Sequence, residues 1–155
     1  AEVSSVTSFQ FDSGMWQSFV MNDIETEELF ASSTDNTLYR LQMDGSAVDV
    51  VGQYEGVVYM GMGREGFSGL KLNSESGSYD VVSMDRDTAE IEVLNNLEFN
   101  TNNNWREYVV TDPHGGVFYA LSMDQTLYRV QMDGSAVDIV ATIEPNIQAM
   151  GMGAY

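Results

Sequence analysis

His114 is the single histidine of the chain, and so the one side chain whose ordinary titration lies near neutrality. Its surroundings, Asp112-Pro113-His114-Gly115-Gly116, read as a tight turn, with proline fixing φ early and the glycines leaving it. No nucleophile accompanies His114 at a recognisable spacing, so nothing here spells a nucleophile–base pair. Carboxylates are far more plentiful, 24 in 155 residues. At that density chance pairs are expected, and general acid–base work needs one carboxyl with a raised pKa. Asp85-x-Asp87 and Glu90-x-Glu92 offer hard oxygen ligands to calcium, but they lack the central glycine and the loop length of an EF-hand. No cofactor is assigned, and calcium is the cation to test.

Two further residue types bear on binding. Trp16 and Trp105 each open a stretch with strand character; exposed, they would be stacking platforms for a sugar or peptide, and buried, they would wedge a core. The core role is favoured. The ten methionines include Met60-Gly61-Met62-Gly63 and Met150-Gly151-Met152-Gly153. Alternation along a strand puts the methionines on one face and the glycines on the other. Packing is the preferred reading: glycines let neighbouring sheets approach, and methionine fills the space opposite. The candidate ligand-binding residues are therefore Trp16, Asp23, Trp105, Asp112 and His114; none is assigned to catalysis or to a metal.

What must position these residues is an internal repeat. Residues 37–51, TLYRLQMDGSAVDVV, return as residues 126–140, TLYRVQMDGSAVDIV, at an offset of 89, with two aliphatic exchanges. The same offset aligns Trp16 with Trp105 and Asp23 with Asp112, and gives 20 identities over the 40 positions from 16 to 55. Residues that recur in register are usually held by the architecture. Short β-branched and aromatic segments follow one another between Asp, Asn, Gly and Ser. Asp-Gly at 44–45 and 133–134 marks a hairpin turn.

The period also halves. Val57–Gly63, Phe67–Asn73, Ser78–Met84 and Ala89–Leu94 form a divergent copy of the same four-strand pattern. A unit of about 44 residues and four strands is the size of a β-propeller blade. The fold expected is all-β and propeller-like, a single domain of about three four-stranded blades, at roughly 12–56, 57–104 and 105–146, plus an incomplete terminal blade. Residues 3–11 would supply an outer strand of that last blade, and residues 147–153 an inner one.

Leu127-Tyr128-Arg129-Val130-Gln131-Met132-Asp133-Gly134-Ser135, with Leu38, Arg40 and Met43–Ser46 in the first copy, resembles the I-x-R-x-x-L-D-G-S stretch of YWTD-type propellers, those of the low-density lipoprotein receptor group. The likeness covers a third strand and turn in two blades, about 18 residues. The tetrad that names the group is replaced by Phe118-Tyr119-Ala120-Leu121 and Leu29-Phe30-Ala31-Ser32. The resemblance implies blade geometry and the general role of an extracellular binding scaffold.

Composition narrows the partners. A net charge of −18, with five arginines and Lys71 as the only fixed cations, leaves no basic patch for nucleic acid or an anionic membrane. No apolar run is long enough to span a bilayer. There are no cysteines and no N-x-S/T sequon; a start at Ala1-Glu2-Val3 is what removal of a signal peptide leaves, so a secreted, periplasmic or cell-surface location is expected. The function expected is a non-catalytic binding or adhesion module for a protein or glycan. The alternatives are a structural subunit that pairs with copies of itself, as a homo-oligomer or as part of a longer propeller, and a hydrolase or lyase acting on an extracellular polymer.

Overall fold

A computed structural model describes residues 16–23, 26–63, 66–97, 105–112, 114–122 and 125–143. Every regular element among them is a β-strand. In chain order these are β1 (Trp16–Asp23), β2 (Glu28–Ser33), β3 (Thr37–Gln42), β4 (Val48–Gln53), β5 (Val57–Gly63), β6 (Gly66–Leu72), β7 (Tyr79–Met84), β8 (Ile91–Leu97), β9 (Trp105–Asp112), β10 (Val117–Ser122), β11 (Thr126–Gln131) and β12 (Val137–Thr142). They form three antiparallel four-stranded sheets, each in sequential order, β1 to β4, β5 to β8 and β9 to β12. Each sheet is a meander in which strands adjacent in sequence pair, which is the blade pattern of a propeller-like fold. The expected strands at 3–11 and 147–153 lie outside the described residues.

The repeat is reproduced down to its irregularities. The outer strand pair of each sheet slips once, at Leu38/Tyr39, Val81/Val82 and Leu127/Tyr128. An irregularity in the same strand pair of all three sheets, at the same residue in the two close copies, is a designed bend rather than a defect. The two MDGS turns close alike: the Gln42 and Gln131 carbonyls accept from the Gly45 and Gly134 amides at 2.9 and 3.0 Å. The Asp44 and Asp133 carboxylates accept from the Ser46 and Ser135 amides at 2.8 and 2.9 Å. Both glycines sit at positive φ, 75° and 73°, where a Cβ is strained.

The chain divides into two compact units: one holds β1 to β4 with Arg86–Glu90, the segment that links β7 to β8, and the other holds β5 to β12. In the first, Phe30, Ser32 and Leu38 share one face of the sheet and are fully buried. Arg86 lies over the Phe30 ring, its carbon 5.6 Å from the centroid, and its guanidinium pairs with Asp23 at 2.9 Å and Glu28 at 2.6 Å. Arg40 reaches Asp87 of the same segment at 3.0 Å.

In the second unit, Leu70, Val81, Phe118, Val130 and Met132 form a buried cluster with Tyr59, Tyr79, Tyr128 and Val137 at its edges. Each large apolar side chain so enclosed contributes roughly 1.5–3 kcal/mol. The Met-Gly alternation falls where it was expected. Met60 is buried opposite Gly69, while a Cβ on Gly61 would run into Thr111 of β9, and one on Gly63 would lie 2.8 Å from the Met132 sulfur. The glycines are what allow β5 and β9 to approach.

Candidate functional site

Asp23 and Asp112 end the first strands of equivalent sheets, and each does the same local job. The Thr26 amide donates to Asp23 Oδ1 at 3.3 Å and the Gly115 amide to Asp112 Oδ1 at 2.9 Å, three residues on in both cases. These carboxylates shape the exit from the strand, as Asp side chains do when they hydrogen-bond nearby backbone. Their recurrence is explained by the turn, and Asp23 gives its other oxygen to Arg86. The strands β1 and β9 begin at Trp16 and Trp105; the side chains of both lie outside the described residues.

His114 stands apart from that pair in function. It is exposed in the turn before β10 and lines an open groove of about 520 Å³ within the second unit. Four glycines line the groove, Gly63, Gly66, Gly115 and Gly116. Phe67, Leu94 and Met132 give it apolar surface, and Ser68, Ser83, Gln131 and Asp133 give it hydrogen-bonding groups. The Asp133 carboxyl is held below the usual carboxylate range by its hydrogen bonds from Ser135, so it presents a negative charge at neutral pH. No non-neighbouring heavy atom lies within 4 Å of where a Cβ would stand on Gly66 or Gly116, so the backbone there is accessible to a ligand main chain in a way that side-chain-covered backbone is not.

The chemistry available is recognition. The Ser68 hydroxyl donates to the Met132 carbonyl at 2.7 Å, which commits it to structure. Among the described residues no three His, Asp or Glu side chains come together as a metal site, and the Asp87 carboxylate is engaged by Arg40. Of the three singled-out residues whose side chains are described, Asp23, Asp112 and His114, only His114 lines this groove. Phe67, Ser68, Gln131, Met132 and Asp133 were not singled out; the signal pointing to them was the glycine alternation of β5, which marks a close approach without saying that a groove opens beside it.

The strand order and sheet count define a propeller-like fold, and solved structures agree. The chain is similar to a chain of the nidogen/laminin complex, with a TM-score of 0.62 and 11% identity over 92% of this chain and 54% of that one. It is similar to an oligogalacturonate lyase in complex with manganese, with a TM-score of 0.59 and 14% identity over 88% of this chain and 42% of that one. It also resembles the β-propeller domain of Cps50 (Swd1) from Myceliophteria thermophila, with a TM-score of 0.52 and 10% identity over 85% and 45%. This chain thus spans about half the length of these structures. At such identities the likeness is one of fold. No family model matches the sequence, and no curated protein sequence matches it.

Proposed function

We propose that this protein is a non-catalytic binding scaffold, exported, whose second unit takes an extended segment of a partner protein in the groove beside His114. The observation that carries the reading is the groove itself, with uncovered backbone at Gly66 and Gly116, apolar surface from Phe67, Leu94 and Met132, and the exposed His114 and Asp133 in its lining. Loops that join rigid strands are where such scaffolds place recognition. A relation to YWTD-type propellers belongs to this proposal. It rests on the Leu-Tyr-Arg and Met-Asp-Gly-Ser residues of the two close copies and on the likeness to a chain crystallised in a protein complex.

Panning a random peptide display library against the protein, beside a glycan array, tests the reading. Captured peptides should lose at least tenfold in affinity for the His114→Ala, Asp133→Asn double variant while its melting temperature stays with the wild type. Binding to glycans alone, lost in the same variant, would make the ligand a saccharide. Ligands indifferent to both substitutions would sink the groove as the site, and turnover of a polysaccharide by the protein would move it to the hydrolases or lyases.

A further inference from the structure

Each sheet has two faces, and the three sheets differ in which face is covered. Call the face carrying Leu29, Ala31, Tyr39 and Leu41 the front of the first sheet; the repeat makes Phe118, Ala120, Tyr128 and Val130 the front of the third. The third sheet's front is seated inside its own unit. Phe118 and Val130 are fully buried, Met132 is 7% exposed, and the turn after them is gripped at its backbone. Ser68 donates to the Met132 carbonyl at 2.7 Å and the Asn95 amide to the Gly134 carbonyl at 2.6 Å.

The first sheet carries nearly the same front and the same Met-Asp-Gly-Ser turn, and Ala31 and Tyr39 at its middle are buried, yet Met43 is 37% exposed and Leu29, Leu41 and Gly45 are only half-buried. The backs differ in the opposite sense at two positions, although Val117 and Leu121 on the third sheet's back are buried. On the first sheet's back Leu38 is 1% exposed, with Phe30 lying beneath Arg86. On the third sheet's back Leu127, the same residue in the same register, is half-buried, as is Tyr119, and Arg129 is exposed.

We propose that one copy of the chain docks on a second copy, the front of the first sheet with its Met43–Ser46 turn seating on the back of the third sheet around Tyr119 and Leu127. The occupant is a second copy because the chain already shows the contact it would make: the same turn sequence, at 132–135, buried against the face of a neighbouring sheet. The two patches are different surfaces, so the association is heterologous, closing into a ring or running on as a filament. Exposed apolar side chains at the edge strands, Val50 on β4 and Ile139 and Val140 on β12, add surface of the kind that drives association when left uncovered. This goes beyond the groove reading and stands on separate residues.

The chain has no cysteine, which makes cross-linking a clean test. A Met43→Cys copy mixed with a Tyr119→Cys copy should form a disulfide-linked heterodimer under mild oxidation. Met132→Cys mixed with Tyr119→Cys should not, because Met132 is sequestered in its own unit. In light scattering the wild type should gain mass with concentration, and Met43→Glu should weaken association at least tenfold. Met43 is exposed, so the variant is expected to fold; if its circular dichroism showed otherwise, the cross-linking pair would decide. A protein that stays monomeric at every concentration, equal cross-linking by Met43→Cys and Met132→Cys, or association unmoved by Met43→Glu in a folded variant would overturn the proposal.

Discussion

Residues 37–49 and 126–138 of this protein have almost one sequence and one backbone, but they live in two environments. Register, bulge, turn and positive-φ glycine coincide in β3–β4 and β11–β12. Even the cross-strand pair recurs, Arg40 opposite Asp49 at 3.8 Å and Arg129 opposite Asp138 at 2.6 Å. Burial does not coincide: the first copy buries Leu38 and exposes Met43, and the second buries Met132 and leaves Leu127 half-buried. Local geometry follows from local residues, whereas exposure is decided by whatever element arrives over them.

The largest effect that tests this contrast is at the front of the two sheets. Phe118→Ala should cost about 3–5 kcal/mol by emptying a fully buried site. Leu29→Ala, its half-buried counterpart, should cost about 1 kcal/mol. Urea denaturation of the two variants compares them, and equal losses would mean that the two fronts are equally covered in solution.

The paired turns come next. Gly134→Ala meets two penalties, positive φ and a would-be Cβ 2.9 Å from that of Leu94, and should cost about 2–4 kcal/mol. Gly45→Ala, in the turn whose Met43 is exposed, meets the positive-φ penalty and should cost about 1–2 kcal/mol. Denaturation midpoints read the difference, which vanishes if the Met132–Ser135 turn is not seated.

The arginines give a smaller contrast. Arg86→Ala removes two ion pairs to largely buried carboxylates and a contact over Phe30, a loss of about 1–2 kcal/mol. Arg129→Ala breaks an exposed pair and should cost under about 1 kcal/mol. A thermal scan of both variants, with comparable drops in melting temperature, would remove the clasp role given to Arg86.

Glu27 offers a gain. It sits at φ 57° where the other copy has Gly116 at 63°, so Glu27→Gly relieves strain and should raise stability by about 0.5–1 kcal/mol. A lower melting temperature for this variant would show that the Glu27 side chain contributes more than its backbone strain costs.

The smallest effect is in pH. Asp44 and Asp133 are both held below the ordinary carboxylate range, first by the Ser46 and Ser135 side chains. A depressed folded pKa gives stability that is present above the unfolded value, near about 3.9, and is lost as pH falls through the folded one. Melting temperature should therefore fall on acidification through that window, and less steeply for Asp44→Asn with Asp133→Asn. An unchanged slope would show that the two turns do not contribute to acid sensitivity.

Much of this protein was legible from its sequence because a repeat in register carries the signals of strand, bulge and turn twice. Alternating β-branched and aromatic residues with Asp-Gly between them are local causes, and local causes suffice for four-stranded meanders. The glycines of Met60–Gly63 likewise disclosed a close approach of strands, since only packing makes a strand interior accept them. The groove was not legible. Asp23 and Asp112 drew notice by recurring, and their recurrence turned out to serve turns, while Asp133 and Phe67 face one groove across a sequence distance that no local pattern encodes. The sequence by itself determined what each blade is. Only the tertiary structure decided which copy of an identical turn is buried, because burial depends on which side chains arrive from elsewhere in the chain, and two identical segments hold no information about that difference.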